Sequence, residues 1–372
     1  MQSFASSFLQ SFALSCLRRI TLYFNCVIIG GMNKKNLMTL SDIAKLANVS
    51  TSTASRALRN NPVIKQSTRE LVQNIAKEHK FKVNVTASKL RTQKTNTIGV
   101  VVMLEQKSGQ VISDPFLMEI LGAIADELTK FGYDMLLTTS KTATHDWYSY
   151  YYESKRADGL IIIGQGLHDK RLELLANTDL PFVVWGTEVH GKNYTTIGSD
   201  NRKGGFLAVQ HLIQQGCKRV AFLGDINHSE VEQRWLGYQD ALKAANLITD
   251  NNLQIKADFT SSDGYSKLRD HFLIEDQGID GIFAASDAIA LGASKYLFEQ
   301  KIAVPKKIAI IGFDDIAMSE FCSPSLSTIR QNTSAGGRLL VKVLLKKINQ
   351  QPFKSQLLEV EVIQRQSSSR RL

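Results

Sequence analysis

Hydrophobic residues between residues 39 and 80 recur with helical spacing and predict three short helices. The first helix would begin after Thr39, whose hydroxyl can cap it, and Asp42 completes a capping-box pattern three residues later. Its apolar face comprises Leu40, Ile43, Ala44 and Ala47. Three helices of this length can enclose one small core.

The second helix is predicted from about Thr51 to Leu58. Asn48 suits the preceding turn because Asn tolerates a left-handed backbone, and Ser50 is the expected N-cap. Ala54 and Leu58 should point inward. The third helix should start with a capping box at Ser67-Thr68-Arg69-Glu70 and bury a face made of Val72, Ile75, Ala76 and His79.

The first two helices and their tight turn form a helix-turn-helix pattern, which predicts sequence-specific DNA binding. Hydroxyl groups can bond to several bases, and an Arg can pair bidentately with guanine. The residues left on the outer face of the second helix are Thr51, Ser52, Ser55 and Arg56. The alternative is that two amphipathic helices simply belong to a globular core.

The distribution of charge favours DNA binding over that alternative. Residues 32–94 contain 13 Lys and Arg against 3 Asp and Glu, a net charge of +10 that equals the net charge of the whole chain. Residues 95–372 therefore sum to about −2. The basic character is confined to the segment with the helix-turn-helix pattern, as phosphate binding requires.

Beyond residue 96, short runs of β-branched and other apolar residues alternate with helical stretches. This alternation predicts doubly wound parallel sheets, and about 275 residues is long for one such sheet, so two lobes are expected. The predicted strands are Thr97 to Leu104, Tyr133 to Thr139, Asp158 to Gly164, Pro181 to Gly186, Arg219 to Gly224, Asp280 to Ala285 and Ile308 to Gly312.

Several motifs together resemble the LacI/GalR family of transcriptional regulators. They are Ala54-Ser55-Arg56 in the second helix, Ser67-Thr68-Arg69-Glu70, the helix-capable run Asn84 to Leu90, and the following Thr97-Ile98-Gly99-Val100 strand. The resemblance extends to about residue 365. It implies a small all-α helix-turn-helix domain followed by an α/β effector domain of two periplasmic-binding-protein-like lobes, joined by crossings near Gly198 and Ile329.

The resemblance also implies a domain plan. Residues 38–83 would bind DNA, residues 84–96 would form a hinge helix and linker, and residues 97–365 would bind the effector and dimerise. Residues 366–372 would be a tail. Residues 1–31 are nearly uncharged and rich in Phe and Ser; because they lack a basic amino end and a cleavage site, we expect translation from Met32 or Met38, or a disordered extension.

On operator DNA, each subunit of a dimer would use its recognition helix to bind one half of a pseudo-palindrome. Thr51, Ser52 and Arg56 would face bases. Thr39, Ser50, Ser55 and Arg59 would lie nearer phosphates. Leu90, in the hinge, would wedge into the minor groove, with an ordinary linker residue as the alternative.

Cleft residues are carried over where the family motifs align. Arg234 would bind adjacent hydroxyls or a carboxylate through its planar fork, and Asp314 would accept bonds from sugar hydroxyls. Phe259 would stack on the ligand, with Phe116 at the mouth of the first lobe. For Asp287, capping of the following helix and contact with the ligand are equally weighted alternatives. Trp185 is expected in the core rather than on a sugar face.

Other chemistry has little support in the sequence. The four cysteines lack disulfide or metal spacing, and no phosphate loop or nucleophile motif is found, so we expect a cytoplasmic protein that is not an enzyme and needs neither cofactor nor metal. No convincing membrane span is present. The sequence predicts a repressor of carbohydrate-utilisation genes, dimeric or possibly tetrameric, that a small saccharide releases from its operator. The alternatives are a sugar-binding protein without DNA function, secreted or cytoplasmic, and a purine-responsive regulator.

Overall fold

The computed structural model describes residues 38–81, 94–104, 109–141, 146–165, 170–188, 191, 193–274 and 278–370. They belong to two compact units, one amino-terminal and one carboxy-terminal. The expectations for residues 1–31, for the hinge and for Leu90 lie outside the described residues.

The described part of the amino-terminal unit contains three helices: α1 (Leu40–Leu46), α2 (Thr51–Leu58) and α3 (Gln66–Glu78). The capping box between Thr39 and Asp42 is present, as predicted. Ser50 caps α2, its Oγ accepting a hydrogen bond from the N–H of Thr53 at 3.1 Å. Asn48, in the turn, has a left-handed backbone with φ of 50°. The helix-turn-helix is therefore confirmed in its local geometry.

The predicted start and inner face of the third helix are wrong in detail. α3 begins at Gln66, so Ser67 lies inside its first turn, and no side chain caps the helix. Arg69 instead ties the preceding loop down, donating to the carbonyl oxygen of Ile64 at 2.9 Å. His79 follows the last turn and is exposed. In α2, Ala54 and Leu58 pack inward as predicted, and Ala57 is fully buried beside them.

Two six-stranded sheets form the two lobes of the carboxy-terminal unit. The first sheet has the order β11-β5-β4-β3-β1-β2 and is entirely parallel. The second has the order β12-β10-β9-β8-β6-β7, and only β12 is antiparallel to its neighbour. The strands are β1 (Thr97–Val102), β2 (Asp134–Thr139), β3 (Gly159–Ile163), β4 (Phe182–Trp185), β5 (Thr196–Ser199), β6 (Val220–Leu223), β7 (Gln254–Ile255), β8 (Gly281–Ala284), β9 (Ala309–Asp314), β10 (Ser327–Gln331), β11 (Gln356–Leu358) and β12 (Val360–Ile363).

Helices cover the sheets, as buried parallel strands require. α4 packs on α11 in the first lobe, whereas α6 packs on α7 and α8 on α9 in the second. The helices are α4 (Pro115–Lys130), α5 (Lys170–Ala176), α6 (Asn201–Gln214), α7 (Ser229–Ala244), α8 (Ser261–Ile274), α9 (Asp287–Glu299), α10 (Ala317–Phe321) and α11 (Thr333–Ile348), with a π-helix at Tyr148–Glu153 and a 3₁₀ turn at Asn251–Leu253. The predicted two-lobed α/β fold is confirmed.

The chain crosses between the lobes three times, each time through a single residue. Asp200 separates β5 from α6, Asn332 separates β10 from α11, and Glu359 separates β11 from β12. The first two crossings lie two or three residues after the expected positions, and the third was not anticipated. Lys203 pairs with Glu359, so the first and third crossings are also linked by charge.

The carboxy-terminal residues are part of the core rather than a tail. Ser367 and Ser368 are fully buried in the second lobe. The N–H of Ile310 donates to the carbonyl oxygen of Ser367 at 2.8 Å. Ser368 Oγ lies 2.7 Å from both His211 Nε2 and Ser327 Oγ. Hydroxyl groups that looked like those of a polar tail thus satisfy buried polar atoms of the second lobe.

Among the described residues, no helix has the length and apolarity needed to cross a membrane. No group of three or more potential metal-ligating side chains occurs in that part of the chain either.

The close packing of α8 on α9 leads to the first prediction. A Cβ at Gly292 would overlap the carbonyl oxygen of Ser261, a backbone atom that cannot turn aside. We expect Gly292→Ala to lower the free energy of unfolding by about 1–3 kcal/mol through overpacking. Urea titration followed by circular dichroism measures this change.

Gly122→Ala is the matched control, because a Cβ at this helical position meets nothing within 4 Å. It should raise the free energy of unfolding by about 0.5–1 kcal/mol, since alanine favours a helix over glycine. Equal effects of the two substitutions would contradict the packing argument.

Candidate DNA interface and ligand cleft

The outer face of α2 presents polar side chains to solvent. Thr51, Ser52 and Arg56 are exposed, and Ser55 is half-buried. Ser50 Oγ lies 2.8 Å from both Ser52 Oγ and Thr53 Oγ1, so hydroxyl groups cluster at the amino end of the helix. This end of a helix also favours anions, because its free N–H groups point outward.

The two arginines of this region differ in whether their side chains are hydrogen-bonded to the protein. Arg59 donates from Nε to the carbonyl oxygen of Ser55 at 3.1 Å and from Nη2 to its hydroxyl at 3.0 Å. Arg56 is exposed, and its guanidinium makes no hydrogen bond with any other of residues 38–81. A free guanidinium can reach a base edge, whereas one held along its own helix is suited to a fixed phosphate contact.

Thr39 is exposed at the start of α1, but its hydroxyl donates to Asp42 at 2.7 Å. Seven of the eight predicted DNA contacts lie in this unit, and all except the half-buried Ser55 are exposed. Leu90 lies outside the described residues.

A cavity of about 500 Å³ lies between the two lobes, at the carboxyl ends of their parallel strands. This is where ligands bind in open α/β sheets, and the volume is typical of a small-molecule site, roughly 300–1,000 Å³. Four of the five predicted cleft residues line it: Phe116, Arg234, Phe259 and Asp314. Trp185 also reaches it, although it is only 4% exposed and packs against α11.

Arg234 is buried in the wall of the cavity and already makes several contacts within the protein. Its Nε donates to Asn201 Oδ1 at 2.8 Å, its Nη1 donates to the carbonyl oxygen of Ala285, and its guanidinium lies 3.7 Å from the ring centre of Phe313. Burial lowers the pKa of Arg234, and nearby Asp314 and Glu230 oppose the shift. Two of its five N–H groups are engaged, which leaves one on Nη1 and both on Nη2 for a ligand.

Asp314 ends β9 with an uncommon backbone conformation, φ 121°. Its Oδ1 accepts a hydrogen bond from Gln331 Nε2 at 2.7 Å. Burial raises the pKa of Asp314 well above its usual value; Arg234 opposes the shift, and Asp287 and Asp114 add to it. Strained, partly buried carboxyl groups of this kind are typical of functional sites.

Asp287 does not line the cavity, and neither alternative proposed for it holds. Ser286 caps α9, with its Oγ accepting from the N–H of Ile289 at 3.3 Å. Both carboxylate oxygens of Asp287 bind the protein: Oδ1 accepts from Thr328 Oγ1 at 2.6 Å, and Oδ2 accepts from Ser319 Oγ at 2.7 Å and from the N–H of Ile316 at 3.0 Å. Asp287 therefore holds β10 and the start of α10 against α9.

Aromatic rings line both lobes. Phe116 follows the Asp114 N-cap of α4 in the first lobe and lies 6.4 Å from the ring centre of Trp185. Phe259 lies in the second lobe, 5.1 Å from the ring centre of His228. These rings give a ligand apolar surfaces between the polar groups.

Sequence reasoning missed several polar residues of the cavity wall, namely Gln110, Asp114, Ser199, Asn201, Glu230 and Gln331. Ser199 and Gln331 end strands that the hydrophobic pattern did not show. A position at the carboxyl end of a strand was the signal that could have found these two. Burial raises the pKa of Asp114 as well.

Comparisons with known proteins agree with this geometry. A model of bacterial regulatory proteins of the lacI family matches residues 39–84, and a model of a periplasmic binding protein-like domain matches residues 209–368. The chain is 31% identical over 338 residues to the HTH-type transcriptional regulator RegA of Clostridium saccharobutylicum, covering 89% of this chain and 99% of RegA.

Two further similarities bear on the ligand. The HTH-type transcriptional repressor PurR of Haemophilus influenzae is 29% identical over 318 residues, covering 84% of this chain and 91% of PurR. A solved complex of the transcriptional regulator CelR with cellobiose superposes with a TM-score of 0.68 at 26% identity, covering 89% of this chain and 99% of that one.

The structural role of Asp287 leads to the second prediction. Asp287→Ala leaves three buried hydrogen-bond donors without an acceptor. We expect it to lower the free energy of unfolding by at least about 2 kcal/mol, because each such donor costs about 1–3 kcal/mol. Chemical denaturation measures the loss. Asp270→Ala, at an exposed position of α8, should change stability by less than about 0.5 kcal/mol.

Proposed function

We propose that this chain, which belongs to the lacI family of bacterial regulatory proteins, represses carbohydrate-utilisation genes and is released from its operator by a small sugar. A DNA-binding transcriptional regulator is what membership of the family establishes. Repression, the sugar and the contact residues are our proposal. The observation that carries it is the polar cavity between two lobes in a chain that also has an exposed recognition helix.

Recognition of DNA rests on the outer face of α2. Thr51, Ser52 and Arg56 would contact base edges in the major groove, and Arg59 with the other hydroxyl groups would contact phosphates. Since one recognition helix covers only half of a pseudo-palindromic operator, the bound species would be a homodimer.

The chemistry of the cavity supports a sugar. Three carboxyl groups, those of Asp114, Glu230 and Asp314, line it and can accept hydrogen bonds from hydroxyl groups. Aromatic rings such as Phe116 and Phe259 can cover the apolar face of a pyranose. A relative bound to cellobiose supports the same class of ligand.

A purine is the second candidate, because PurR is among the relatives of similar identity. A purine also has N–H donors and a flat face that aromatic rings can cover. In either case the protein would act by binding and not by catalysis. The coupling free energy between ligand binding and DNA binding would be about 1–3 kcal/mol. This coupling is reciprocal, so DNA would weaken ligand binding by the same factor.

The test is binding of the full chain to DNA upstream of its own gene, at two salt concentrations, with cellobiose, maltose, ribose or hypoxanthine added. We expect salt-sensitive, sequence-specific binding that one of the sugars weakens by about 5- to 150-fold, the range of allosteric coupling. Asp314→Ala should still bind DNA but respond less to that sugar. Release by hypoxanthine alone would favour the purine candidate, and DNA binding that is insensitive to sequence would contradict the proposal.

Two substitutions on the recognition helix separate base contact from phosphate contact. Arg56→Ala should weaken operator binding by about 10- to 100-fold and relax the sequence preference at one base pair, because a bidentate base contact contributes about 1–3 kcal/mol. Arg59→Ala should weaken binding to all sequences alike and reduce the salt dependence. Fluorescence anisotropy with operator and scrambled duplexes measures both. Identical behaviour of the two variants would contradict the assignment.

A further inference from the structure

We propose that Glu230 selects the effector, accepting a hydrogen bond from a donor group of the ligand while its side chain lies against the opposite lobe. This inference deepens the proposed function and rests on it. It names the feature that an effector must present at this end of the cavity: a hydroxyl or ammonium donor, not a carboxylate or phosphate.

The first observation is an acceptor without a donor. Glu230 lines the cavity, and its buried Oε1 has no hydrogen-bond partner among the described residues. A buried carboxylate oxygen without a donor is costly, so natural structures rarely leave one unless a ligand completes it. The hydroxyl of Ser199, also in the cavity wall, is a second buried polar atom in this condition.

The second observation is that the two lobes approach each other at Glu230. Glu230 lies in the first turn of α7, in the second lobe. Gly186 follows β4 in the first lobe, and Oε1 of Glu230 lies so close to it that a Cβ added at this glycine would be only 3.0 Å from Oε1. The N–H of Thr187, also in the first lobe, stabilises the carboxylate. A donor that reaches Oε1 therefore binds where the two lobes meet.

The third observation is that Arg234, the cation beside Glu230, is hydrogen-bonded to other groups. Its Nε and Nη1 donate to Asn201 and Ala285. Asp314 and Asp114 add negative charge to the same cavity, and Lys141 and Arg171 add positive charge. A carboxylate or phosphate oxygen at Oε1 would place two acceptors together without a hydrogen between them, whereas a hydroxyl or ammonium group can donate to Oε1.

The arrangement predicts a dependence of ligand binding on pH. Burial raises the pKa of Glu230 to about 7. A ligand that donates to the carboxylate favours its ionised form, so binding releases a proton and the affinity rises with pH. The other charged or titratable side chains that line the cavity are Arg234, Lys141, Arg171, His228, Asp114 and Asp314. The pKa values of Asp114 and Asp314 are raised as well, so the pH effect must be assigned by substitution.

The experiment is calorimetric titration of the full chain with cellobiose, maltose, ribose and hypoxanthine at about pH 6 and about pH 8, on either side of the pKa of about 7. We expect the compound that binds to do so up to about tenfold more tightly at the higher pH, because the affinity follows the ionised fraction of the Glu230 carboxyl group. Glu230→Gln should weaken binding by about 10- to 100-fold and remove the pH dependence.

Glu232→Gln is the matched control, because Glu232 lies in the same helical turn but outside the cavity wall. It should bind as the unmodified chain does. Glu230→Asp keeps the charge but shortens the side chain by one methylene. It replaces Glu230→Gln as the test if Glu230→Gln has a lower melting temperature than the unmodified chain. It should weaken binding but retain the pH dependence.

The outcomes separate the two proposals. Binding that is equal at both pH values and indifferent to Glu230→Gln overturns the role of Glu230 and leaves the sugar-responsive regulator intact. A pH dependence that persists in Glu230→Gln also overturns it and assigns the proton to another group, such as the carboxyl group of Asp314, whose pKa is raised by burial. If no compound of the panel binds while operator binding is intact, the proposed effector class fails, and the role of Glu230 fails with it.

Discussion

The second lobe is organised around one buried cation, the guanidinium of Arg234. It lies over the ring of Phe313 and donates to Asn201, the first residue after a crossing, and to Ala285, the first residue after β8. Burying a guanidinium is costly unless its hydrogen bonds are satisfied and opposite charge lies near. The protein supplies two hydrogen bonds and the nearby carboxyl groups of Asp314 and Glu230, so the position of the cation fixes α6, α7 and β9 relative to one another.

The same constraint explains why the cavity is polar and not fully satisfied. Arg234 is surrounded by more carboxyl groups than it can neutralise, and burial raises the pKa of both Glu230 and Asp314. A protein optimised for stability alone would replace such groups with apolar ones, so their presence is consistent with a site that trades stability for ligand recognition. Hydroxyl groups of a ligand would complete the hydrogen bonds that the protein lacks.

Much of the fold follows from local pattern, and the limits of prediction have physical causes. Six of the seven predicted strands are apolar runs buried on both faces, and the seventh, β2, is an edge strand whose residues are half-buried or exposed. β10, with the sequence Ser-Thr-Ile-Arg-Gln, instead carries polar residues whose partners lie far along the chain. Asp287 and Asp314 both follow predicted strands, and the sequence alone could not show that one is structural and the other lines the cavity. Only the distant hydroxyls of Thr328 and Ser319 show that Asp287 is structural. Glu230 was missed because its significance depends on the approach of the opposite lobe.

The burial of the carboxy-terminal residues has a consequence for how the protein is made. Both lobes need chain that is synthesised last: the first needs α11 and β11, and the second needs β12 and the serines at 367 and 368. The three helices at residues 40–78 have their own core, to which Phe81 also contributes. On the ribosome, the helix-turn-helix can therefore fold early, whereas neither lobe is complete until the whole chain has emerged. A prematurely terminated chain would keep the recognition helix but lack the means to sense a ligand.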